Sequence, residues 1–139
     1  FVLGAMIQGA TVVIPAHYNA SIGGVTVAFM AASYELMRHY GFPVVSRTLK
    51  AISVVQPIMF GIGQVTFVFG LTLAGLHGIE RKVYGAEQGL GAGYDAWGMV
   101  IMGVGGGLAI TGGVMFVWIV IASWFHARRA SAMAHQSKA

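Results

Sequence analysis

Apolar positions fill three long stretches of this chain, and the polar ones gather between them. Phe1–Tyr34, Ala51–Ile79 and Ala96–Ala127 contain no Asp, Glu, Lys or Arg. A helix that spans a bilayer needs roughly 20 mostly apolar residues. Each window holds one such helix and none holds two. The runs are unbroken, whereas a membrane β-strand alternates over about 10 residues. The pattern predicts an all-α integral membrane fold, with three transmembrane helices and a short N-terminal remnant in one membrane domain over 1–139.

Local punctuation sets the expected bounds. Pro15 suits the first turn of a helix, so the first helix is expected over about 15–37, ending where Glu35, Arg38 and His39 meet the interface. Tyr40-Gly41-Phe42-Pro43 is a stop and a turn. The second helix is expected over about 51–76, with Pro57 in its second turn, placed to bend it. A glycine-rich connection follows, with Gly78, Gly85, Gly89, Gly91 and Gly93. The third helix is expected over about 97–125. At about 1.5 Å per residue it exceeds the hydrocarbon core, so it tilts or emerges, ahead of a tail over 126–139. Residues 1–14 are too short to span and read as the end of an earlier segment or an interfacial loop. Phe1 opens inside an apolar run with no basic region before it, which reads as a processed, split or partial chain.

Composition agrees with the pattern and narrows the classes. Of 139 residues, 57% are hydrophobic and 9% charged, against about 25% charged in soluble domains. The net charge of +4 comes with no basic stripe to follow phosphates, which excludes a nucleic-acid binder. The absence of Cys removes disulfides, thiolate metal sites and a cysteine nucleophile. Lys/Arg bias sets orientation. Arg38, Arg47 and Lys50 in the first connection, and Arg128, Arg129 and Lys138 in the tail, mark one side as cytoplasmic. Arg81 and Lys82 in the second connection are outweighed by Glu80, Glu87 and Asp95, so that connection is expected outside. The chain is expected in a prokaryotic cytoplasmic (inner) membrane with a cytoplasmic C-terminus.

Small residues recur every four positions: Ala20, Gly24, Ala28 and Ala32, then Gly70, Ala74 and Gly78, then Gly103 and Gly107. Such stripes let helix backbones approach in lipid. Phe60, Phe67, Phe69, Phe116 and Trp118 read as packing or lipid contacts. Gly105-Gly106-Gly107 has no preceding strand and is no phosphate loop. Polar groups within spans are costly and mark candidate sites; here they are His17, Asn19, Gln56, Gln64 and His77. Imidazole is a common axial ligand of haem iron. His17 and Asn19 lie about 200° apart on a helix, so a ligand at each would hold one cofactor on either side. Arg81 and Lys82 are expected at the same end as His17, where a cation pair could receive two carboxylates. Each of these residues also has a plain reading, as an interfacial histidine or a solvated loop charge.

Ile14-Pro15-Ala16-His17-Tyr18-Asn19, followed by Ser21-Ile22-Gly23-Gly24-Val25-Thr26, resembles the tenth-helix signature of haem–copper oxidase catalytic subunits. Gly70–Gly78 with Ile79-Glu80-Arg81-Lys82 resembles the end of their eleventh helix and its Pro-Arg-Arg motif. The span ending Val117-Trp118-Ile119 is similar to the twelfth. The likeness covers nearly the whole chain, in order, and is closest to divergent bacterial and archaeal branches. It implies that this is the C-terminal three-helix portion of such a subunit. His17 would be the proximal ligand of a high-spin haem, and Arg81 and Lys82 would pair with its propionates. The sequence departs from the family at Asn19, where the low-spin haem's histidine stands, at Glu80 in place of Pro, and at Lys82 in place of an Arg, which loses bidentate geometry. Copper ligands would come from other helices or chains.

Two functions are therefore expected. One is a part of a membrane respiratory terminal oxidase, reducing oxygen to water with proton movement and taking electrons from cytochrome c or a quinol. Nitric oxide reduction is a variant on the same scaffold. The other is a haem-less structural subunit, a degenerate paralogue packed within a respiratory complex. Partners are other oxidase subunits or the missing helices, and the lipid bilayer. A transporter is disfavoured because no span carries a buried acidic residue for ion coupling.

Overall fold

The computed structural model describes residues 2–83 and 93–136, with Ala134 and His135 by backbone alone. Its elements are α1 (Val2–Ala5), α2 (Val13–His39), α3 (Arg47–Leu76) and α4 (Tyr94–Gln136). There is no strand among the described residues, only an isolated bridge between Thr11 and Glu80. The fold is all-α, and α2, α3 and α4 are each long and apolar enough to cross a membrane. The short α1 lies in the N-terminal stretch that is too short to span.

The helices outrun their expected bounds. α3 starts at Arg47, so Pro57 lies well inside it and deprives the Ser53 carbonyl of its usual partner. α4 runs on to Gln136, because Arg128, Arg129 and the Ala- and Met-containing stretch beyond them are good helix formers and a charge does not end a helix. Its 43 residues extend about 65 Å at 1.5 Å per residue, twice the bilayer core. Residues 126–136 of the expected tail are thus helical, and 137–139 lie outside the described residues. So do Gly85, Glu87, Gly89 and Gly91 of the second connection.

Two glycines stop the first two long helices in the same way. Gly41 (φ +84°) and Gly78 (φ +92°) take the left-handed conformation. Phe42 N–H then donates to Met37 O at 3.0 Å, and Ile79 N–H to Ala74 O at 3.2 Å. This closure satisfies carbonyls that the helix end would otherwise leave bare. Ile79, just past the second stop, is buried. Gly78 is therefore a turn residue and not part of a packing stripe.

α3 and α4 lie antiparallel, backbone against backbone. A Cβ added at Gly98 would sit 2.6 Å from Ala74 N, and one at Gly112 would sit 2.9 Å from Phe60 N. At Gly105 it would collide with the backbone of Phe67, and at Gly63 and Gly70 with that of Ala109 and Met102. The glycines in contact recur every seven residues, and Ile119, one repeat beyond Gly112, is fully buried. Seven-residue spacing keeps one seam facing a partner in a left-handed pair. Of the expected four-residue stripes, only the Gly70 and Ala74 pair lies in this seam. Gly103 and Gly107 face open space, as does Gly24, and Ala20, Ala28 and Ala32 are exposed.

α2 meets α3 through side chains except at its first turn, where a Cβ at Gly75 would sit 2.6 Å from Val13 N. Gly23 abuts the Gln64 side chain, and Val27 reaches Gly61. Met30, Phe60 and Ala109 form a buried cluster joined by Val27 and Phe116. Phe60 and Phe116 are thus packing residues, while Phe69 and Trp118 point outward.

Candidate functional site

The first turns of α2 and the end of α3 form one end of the bundle. Val12 N–H donates to Ile79 O at 3.0 Å, and Arg81 N–H to Ala10 O at 2.9 Å, on either side of the Thr11–Glu80 bridge. Val13 packs on Gly75. The segment leading into His17 is therefore tied to the segment carrying Arg81 and Lys82. These three residues share an end of the molecule because α2 and α3 run antiparallel, and the single Thr11–Glu80 bridge ties the two segments together.

His17 is the fifth residue of α2 and half-buried. A Cβ on Gly4 would meet its Cε1, Nδ1 and Nε2 at 3.4, 3.7 and 3.8 Å. Such near-equal distances mean the ring lies face-on to α1, which covers it. Tyr18 stands 5.8 Å from it, ring centre to ring centre. Neither ring nitrogen makes a hydrogen bond among the described residues, so the imidazole keeps its donor and its lone pair.

Asn19 behaves differently. Its Nδ2 donates to Pro15 O at 2.8 Å within its own helix. It borders a groove of about 490 Å³ between α2 and α3, with Ala20, Gly23, Gly24, Gln64 and Phe69 also on its walls. His17 does not line that groove. The opposite facing of positions 17 and 19 is realised, with an amide on the groove side.

Arg81 and Lys82 are exposed and make no ion pair among the described residues. Lys82 has φ +68°, a conformation that L side chains take up at a cost. His77 caps α3 at the same end. Its Nδ1 lies 2.8 Å from Leu73 O, and its ring stands 5.1 Å from that of Tyr94. Among the described residues no three His, Cys, Asp or Glu side chains converge to hold a metal ion.

The polar centre of the bundle lies elsewhere, at a residue whose role the sequence left open. Gln56 is fully buried. Its Oε1 accepts from Tyr34 Oη at 2.7 Å, and its Nε2 donates to Gly112 O at 2.9 Å and lies 3.2 Å from Met30 Sδ. One side chain thus joins α2, α3 and α4. The available signal was spacing, since Gln56 stands seven residues before Gly63 and fourteen before Gly70. Gln64, one turn beyond Phe60, has a buried Oε1 with no hydrogen-bond partner among the described residues, and so does the Oγ of buried Ser123.

No family model matches this chain, and no solved structure matches it. It is similar to an uncharacterized protein of Rickettsia prowazekii (strain Madrid E), at 35% identity over 132 residues. That match covers 86% of this chain and 25% of the relative. The chain therefore spans about a quarter of the length of the relative it matches.

Proposed function

We propose that this chain supplies three helices to the catalytic subunit of a membrane respiratory terminal oxidase, in which His17 ligates haem iron and Arg81 and Lys82 pair with the propionates. The observation that carries this reading is the tie between residues 10–12 and 79–81, which links the segment of an imidazole with no hydrogen-bonded nitrogen to that of two cations, all three without a partner among the described residues. The donor chemistry fits: imidazole nitrogen suits haem iron, and cations at a membrane surface suit carboxylates. A haem held there would supply the iron at which oxygen is reduced to water. The chain's own work is simpler. α2 carries His17, Gly4 of α1 lies against one face of its ring, and the Thr11–Glu80 bridge ties its segment to that of the cations. The likeness to a relative about four times as long is consistent with further helices carrying the copper ligands. On this reading the membrane is the prokaryotic inner membrane, the tail of α4 is cytoplasmic, and electrons arrive from cytochrome c or a quinol.

A second reading is favoured by Asn19. Its amide is committed to Pro15 O and is a poor iron ligand, as expected of a haem-less paralogue that keeps only the packing. Spectroscopy separates the two. The complex containing this chain is expected to show a carbon monoxide-reactive haem that His17→Ala removes. Arg81→Gln is expected to shift the haem redox potential while haem content stays normal. A carbon monoxide spectrum unchanged by His17→Ala overturns the oxidase reading and leaves the structural one.

A further inference from the structure

The end of the bundle opposite the candidate site gathers charge that the proposed function does not use. α2 and α3 are antiparallel, with Tyr34 beside Gln56 and Val27 beside Gly61. Carried on, this register sets Arg38 level with Lys50. α3 and α4 are antiparallel too, with Phe60 beside Gly112 and Gly63 beside Ala109. Carried on, that register sets Lys50 level with Ala122 and Arg47 level with Phe125, and Arg128 and Arg129 follow within a turn. Arg38, Arg47, Lys50, Arg128 and Arg129 thus meet at one end from three helices, all exposed.

The balance there is one-sided. Glu35 is the one acidic residue of the sequence outside Glu80–Asp95, and it is paired with Arg38. Arg47, Lys50, Arg128 and Arg129 have no carboxylate at their own level. Four like charges on packed helices repel unless counter-charge comes from outside the chain. Their depth says where that charge lies. Trp124 and Phe125 are exposed one turn inside Arg128, and the Arg128 guanidinium stands 4.2 Å above the Trp124 ring. Exposed Trp at the end of an apolar span sits at the lipid headgroup level. The guanidinium fork matches phosphate oxygens bidentately.

We propose that Arg47, Lys50, Arg128 and Arg129 form a binding site for the phosphate diester of an anionic phospholipid headgroup, with Trp124 setting its depth. The site needs no haem, so its test stands apart from the spectra above. The full polypeptide that carries this sequence is purified from its membrane into nanodiscs of equal parts phosphatidylglycerol and phosphatidylcholine. Lipids retained after transfer to detergent are identified by native mass spectrometry.

Phosphatidylglycerol is expected to be retained about tenfold over phosphatidylcholine. Arg47→Gln/Lys50→Gln/Arg128→Gln/Arg129→Gln is expected to bring the ratio to parity. Arg47→Lys/Arg128→Lys/Arg129→Lys keeps the charge and is expected to keep most of the preference, which controls for folding. Parity in the unaltered protein overturns the proposal. So does a preference that the Gln variant keeps or the Lys variant loses. Loss of the preference on adding inorganic phosphate assigns the site to the free anion and overturns the lipid.

Discussion

The two helix contacts of this bundle are built on different principles. Between α3 and α4, glycines at seven-residue intervals bring backbone onto backbone, and a single methyl group at Gly98 or Gly112 would have to displace main chain. Between α2 and α3, contact runs through Val27, Met30 and the Gln64 side chain, and a groove of about 490 Å³ stays open beside it. In lipid there is no hydrophobic gain from bringing two apolar helices together, so association rests on close packing and hydrogen bonds. The α3–α4 pair uses the first, and α2 relies more on the second, through Tyr34 and Gln56. The α2–α3 contact tightens only at the candidate-site end, where a Cβ at Gly75 would sit 2.6 Å from Val13 N. A helix held by a few side chains leaves room beside it for something other than protein, whereas a seam of glycines leaves none.

Substitutions test that contrast, and the largest effect is expected at the tight seam. Gly105→Leu drives a side chain into the backbone of Phe67 and is expected to cost about 3 kcal/mol or more. Loss of the folded protein, read by protease resistance and thermal unfolding in detergent, checks this. If Gly105→Leu unfolds no more readily than the parent, the α3–α4 packing described above is wrong.

Gln56→Leu should be felt at both contacts. It removes the bonds to Tyr34 and Gly112, and intramembrane hydrogen bonds average about 0.6 kcal/mol with a ceiling near 1.7. A loss of about 1–2 kcal/mol is expected. Tyr34→Phe alone should cost about 0.6 kcal/mol, and the double variant should lose less than the sum, because both substitutions break one shared bond. Strict additivity in unfolding midpoints would show that the Tyr34–Gln56 bond contributes nothing.

The smallest effect is expected two residues from the largest. Gly103 faces open space, so Gly103→Ala should leave stability within about 0.5 kcal/mol of the parent, while Gly105→Ala meets Phe67 main chain and should be clearly destabilising. Equal responses at 103 and 105 would remove the distinction between a seven-residue seam and a four-residue stripe.

Much of the fold was legible before any coordinates. Pro15, the Tyr40–Pro43 turn and the charge-free windows placed the helices within a few residues, apart from α4. There the charges at Arg128 and Arg129 suggested a tail although their propensity is helical. The facing of His17 and Asn19 was legible as well, because two residues on one helix differ by a fixed rotation. The packing faces were not. Four-residue stripes and seven-residue repeats both place small residues on one side of a helix, and Gly103, Gly105 and Gly107 compete within a single turn. Gln56 stood out only as a polar group in a costly place.

The amino-acid sequence by itself determined three membrane-length apolar helices, the turn at Gly41 that stops the first, and which charges lie at which end. These follow from chain length, hydropathy and local backbone preference. Only the tertiary structure decided that Gly98, Gly105 and Gly112 pack on α3 while Ala20, Gly24 and Ala28 of the α2 stripe stay exposed, the first two beside the open groove. It also decided that Gln56 joins three helices, and that a bridge between Thr11 and Glu80 ties the segment leading into His17 to the one carrying Arg81. The reason is physical. A lipid-facing surface is as apolar as a buried one, so hydropathy cannot tell them apart, and the choice falls to shape and hydrogen bonding between segments distant in the chain.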